Sequence, residues 1–119
     1  MNQEKARSIL RMFSGVAEVK TLDPLLDEAV ALVKSRLRPG ADTERPQLDY
    51  LCAAIANLRH SQLLAAQSQL TYPSAGSVAK ESDKGQKVPF AQALVNEYLK
   101  TCADLLICTD GPLLAAGGR

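Results

Sequence analysis

The chain has 119 residues, 14 Lys and Arg against 13 Asp and Glu, and 46% hydrophobic residues, the size and composition of one ordinary domain around one core. A formal net charge of +1 gives no electrostatic excess for non-specific binding to nucleic acid; no apolar run approaches the roughly 18 to 20 residues that cross a bilayer, and Met1 to Arg11 are too polar for a signal peptide. Three cysteines, Cys52, Cys102 and Cys108, contain no Cys-x-x-Cys pair, which argues against a disulfide framework or a four-ligand zinc site and for free thiols in a cytoplasm.

Ala6, Ile9, Leu10 and Phe13 recur at helical spacing, predicting a short amphipathic helix over 3–13 that stops at Ser14-Gly15. Leu22-Asp23-Pro24 is a start signal: Asp23 is placed to cap free N–H groups and Pro24 suits a first helical position. The helix over 24–38 carries the stripe Leu26, Ala29, Val30, Val33 and Leu37, with Lys34, Arg36 and Arg38 near its negative end, and Pro39-Gly40 closes it. Pro46 opens a long helix, 47–69, whose apolar positions Leu48, Leu51, Cys52, Ile55, Leu58, Leu63 and Leu64 are interleaved with alanines. Apolar character all round this wheel predicts a central helix, covered by the rest of the domain or by another subunit.

Residues 71–88 are rich in Ser, Gly, Lys and Pro and lack a helical period, so they read as a long loop, with a short strand at 76–79 as an option. Pro89 then starts a last helix, 90–107, on Ala91, Leu94, Val95, Tyr98, Cys102, Leu105 and Leu106, and a tail follows from 109 to 119. The expectation is a single all-α domain over 1–119, a small bundle of four helices with one long loop before the last.

Chemistry is sparsely signalled. His60 is the single histidine, with no nominated base partner or nucleophile, and reads as a solvated or interface residue. Cys52 and Cys102 fall on apolar stripes as buried hydrophobes would, and Cys108 lies near a helix end. Asp27-Glu28 belong to a helix N-terminus and Glu97 and Asp104 to an exposed side, so neither pair reads as acid–base machinery. No phosphate-loop pattern follows a strand. No catalytic residue, metal ligand or cofactor is therefore expected, and no enzyme. The residues set aside as candidate partner contacts are Tyr72, Val78, Lys80, Lys84 and Lys87 in the loop, a mixed-charge segment that would order against a partner, and Leu113 and Leu114 in the tail.

The segment Leu22–Leu64 resembles the core of small head-tail connector (adaptor) proteins of tailed phages and prophages. It shows an Asp-led helix, Asp23-Pro24-Leu25-Leu26-Asp27-Glu28-Ala29, a polar Pro/Gly turn and a long Ala-rich helix. Ala75-Gly76-Ser77-Val78 and the tail's Asp110-Gly111 extend the likeness across most of the chain. The aromatics expected in such a helix and tail are sparse, with Tyr50 alone in the helix and Leu113-Leu114-Ala115-Ala116 in the tail. The resemblance implies a structural virion protein whose copies form a ring, with portal protein on one side and tail or stopper proteins on the other. DNA is then passing cargo, and the location is the bacterial host's cytoplasm during assembly and then the virion. Ring closure needs two different faces on each copy. The alternative is a small DNA-binding or regulatory protein using the second and third helices as a helix-turn-helix, with Arg36, Arg38 and Arg45 toward phosphate.

Overall fold

The computed structural model describes the backbone of residues 1–71 and 78–107 and the side chains of residues 1–67 and 88–107. Four α-helices run through these residues: α1 (Gln3–Ser14), α2 (Asp23–Arg36), α3 (Pro46–Thr71) and α4 (Val78–Thr101), with a one-turn 3-10 helix, Val19–Leu22, before α2. The expected all-helical bundle is thus the architecture of the described residues, and buried residues from all four helices join in one core.

α1 is closed at both ends as its sequence dictates. The Asn2 side chain accepts the Lys5 N–H at 3.1 Å, and Gly15, at φ 71°, returns its N–H to the Arg11 carbonyl at 2.9 Å, a left-handed cap that favours glycine. Ala6, Ile9 and Leu10 face the core.

α2 departs from expectation at both ends. Asp23 makes no cap; it is the first residue of α2, and its carboxylate takes two hydrogen bonds from Arg7, at 2.9 and 3.1 Å. A guanidinium fork held on α1 outcompetes the local N–H groups. The helix stops at Arg36, not 38, because the chain turns extended at Leu37 and pairs with Leu106. Arg38 N–H donates to the Leu105 carbonyl at 2.9 Å and Ile107 N–H to the Arg36 carbonyl at 2.7 Å.

α3 is the centre of the bundle, packed on α1, α2 and most extensively α4. Every residue from Leu51 to Leu58 is buried. Ala53, Ala54 and Ala56 are at 0% exposure, so methyl-sized side chains let neighbouring helices approach on the sides that Leu51, Ile55 and Leu58 do not fill. The rest of the domain supplies this cover. Farther along, Leu63 is exposed and Leu64 half-buried.

α4 begins at Val78, eleven residues before the predicted start at Pro89, which lies inside the helix. The connection is correspondingly shorter, and Val78 and Ala79 are helical, not strand. Residues 78–88 contain good helix formers, Ala79, Lys80, Glu81, Lys84, Gln86 and Lys87, without an apolar stripe, so propensity favours a helix where periodicity gives no signal. At the other end α4 stops at Thr101. Cys102 to Leu105 turn through short-range hydrogen bonds, Cys102 N–H to Tyr98 at 2.9 Å and Leu105 N–H to Cys102 at 2.9 Å. Leu105 and Leu106 are buried, as their place on the stripe required, but in a turn and a bridge instead of a helix.

Candidate functional site

Between the end of α1, the middle of α3 and the second half of α4 lies a groove of about 170 Å³. Its apolar walls are Phe13, Leu64, Phe90 and Leu94, and its polar lining comes from Asn57 and Ser61. Helix geometry builds it: residues four apart share a face, so Asn57 and Ser61 stand one turn apart on α3. Phe13 is set at the groove by the cap that ends α1, and its ring lies 6.2 Å from that of Tyr98, which in turn stacks on Tyr50 at 5.4 Å. Burial raises the Tyr98 hydroxyl above its ordinary value.

Asn57 and Ser61 are only 6% and 4% exposed, and both line the groove, whereas among the described residues the buried side-chain polar atom without a partner is Gln47 Oε1. Phe90 is 74% exposed, an aromatic wall standing into solvent. His60 lines the same groove and is half-buried. Sequence reasoning singled out His60 and passed over Asn57, Ser61 and Phe90. The readable signal was two polar residues one turn apart where the apolar run Leu51–Ala56 gives way to Arg59 and His60.

A wider depression of about 310 Å³ lies beside Arg7, Arg11 and Lys20, but Arg7 is already committed to Asp23. The cations proposed for phosphate contact are engaged as well: Arg38 Nε donates to the Leu106 carbonyl at 2.7 Å, and Arg45 pairs with Asp104 at 3.2 Å. α3 is enclosed over Leu51–Leu58 and reaches solvent from Arg59 onward, at Leu63, Ala66 and Gln67.

Burial pushes the Cys52 thiol up to about 12 and Cys102 up to about 11, so both are protonated and inert at neutral pH. Cys52 Sγ rests 3.7 Å from the Met1 sulfur, and buried Asp49 accepts the Asn2 N–H at 2.8 Å. Among the described residues no three His, Cys, Asp or Glu side chains gather as metal ligands would, and no helix is long and apolar enough to cross a membrane.

Of the predicted partner contacts, Val78, Lys80, Lys84 and Lys87 fall in the first half of α4, where the backbone alone is described. Tyr72, Leu113, Leu114 and Cys108 lie outside the described residues. Compared with known proteins, the chain matches no family model, no curated protein and no solved structure.

Proposed function

We propose that this chain is a structural assembly protein of the head-tail connector kind, copies of which form a ring that joins the portal of a phage or prophage head to its tail. The observation that carries the assembly part is Phe90, an aromatic wall of the groove that stands 74% exposed. Met12 at 67% and Leu63 at 50% are further large apolar side chains at the surface. Exposed apolar surface of this kind is what a docking face requires. The connector part rests on the resemblance of Leu22–Leu64 and of the Asp110-Gly111 tail, together with a near-zero net charge that would let DNA pass through a ring without being gripped.

Electron microscopy of the chain mixed with the portal protein of the same phage or prophage tests this reading. Rings seated on portals are the expected image. Bare portals at every ratio of the two proteins would contradict it.

A further inference from the structure

We draw no further inference here: the strongest candidate, the groove between α1, α3 and α4 walled by Phe13, Phe90 and Leu94, carries nothing beyond the docking face already described, because nothing in the structure shows what covers it.

Discussion

Arg7 and Asp23 meet through two parallel hydrogen bonds, 2.9 and 3.1 Å long, that fasten the middle of α1 to the first residue of α2. Both side chains are about a quarter to a third exposed, so the pair is partly screened by solvent. Asp23 also raises the Arg7 guanidinium further above its ordinary value, chiefly through that hydrogen bonding. Asp23→Asn keeps the shape and removes the charge. It should lower Tm by about 2 °C in dilute buffer and by less in 1 M salt, as measured by thermal melts at the two ionic strengths.

The enclosure of α3 makes its alanines intolerant of added volume. Ala54→Leu, at a position with 0% exposure, should cost about 1–3 kcal/mol through overpacking. Ala66→Leu, on an exposed part of the same helix, should change stability by no more than about 0.5 kcal/mol. Urea unfolding of the two variants gives the comparison.

The two buried thiols make stability depend on alkaline pH. An ordinary cysteine titrates near 9.0, whereas Cys52 is held up to about 12 and Cys102 up to about 11. Between pH 9 and 11 the folded chain therefore keeps protons that the unfolded chain loses. The contribution is complete below pH 9 and falls as pH rises through the folded values. Tm should drop between pH 8.5 and 10.5, and Cys52→Ala should flatten that drop. In the native protein at pH 8, Cys52 and Cys102 should resist iodoacetamide and react only after denaturation, as peptide mass spectrometry reads out.

Arg38 ties the end of α2 to the segment after α4 by donating to the Leu106 carbonyl at 2.7 Å, alongside the backbone pairing of Arg38 with Leu105 and of Ile107 with Arg36. Arg38→Ala removes the side-chain bond and should cost about 1 kcal/mol. Hydrogen exchange should show the Ile107 amide protected in the native chain and faster in the variant.

What was legible in the sequence was local. The end of α1 followed from Gly15, and the burial of Leu48, Leu51, Cys52, Ile55 and Leu58 followed from their spacing. Contacts between distant residues were not legible. Nothing near Asp23 says that Arg7 will claim its carboxylate, and nothing near Leu37 says that Leu106 will draw it out of α2. The early start of α4 was hidden because residues 78–88 favour a helix without displaying an apolar face. The groove was hidden for a related reason: Asn57 and Ser61 sit unnoticed on a helical wheel until Phe13 and Phe90 arrive from other helices to complete the lining.

The central claim is that this protein acts by lending surface to copies of itself and to a larger assembly. Sedimentation velocity, from dilute to concentrated protein and with or without portal protein, addresses it most directly. The account predicts association into a discrete closed oligomer, or a monomer that co-sediments with portal in a fixed ratio. A chain that stays monomeric throughout and never moves with portal would contradict it.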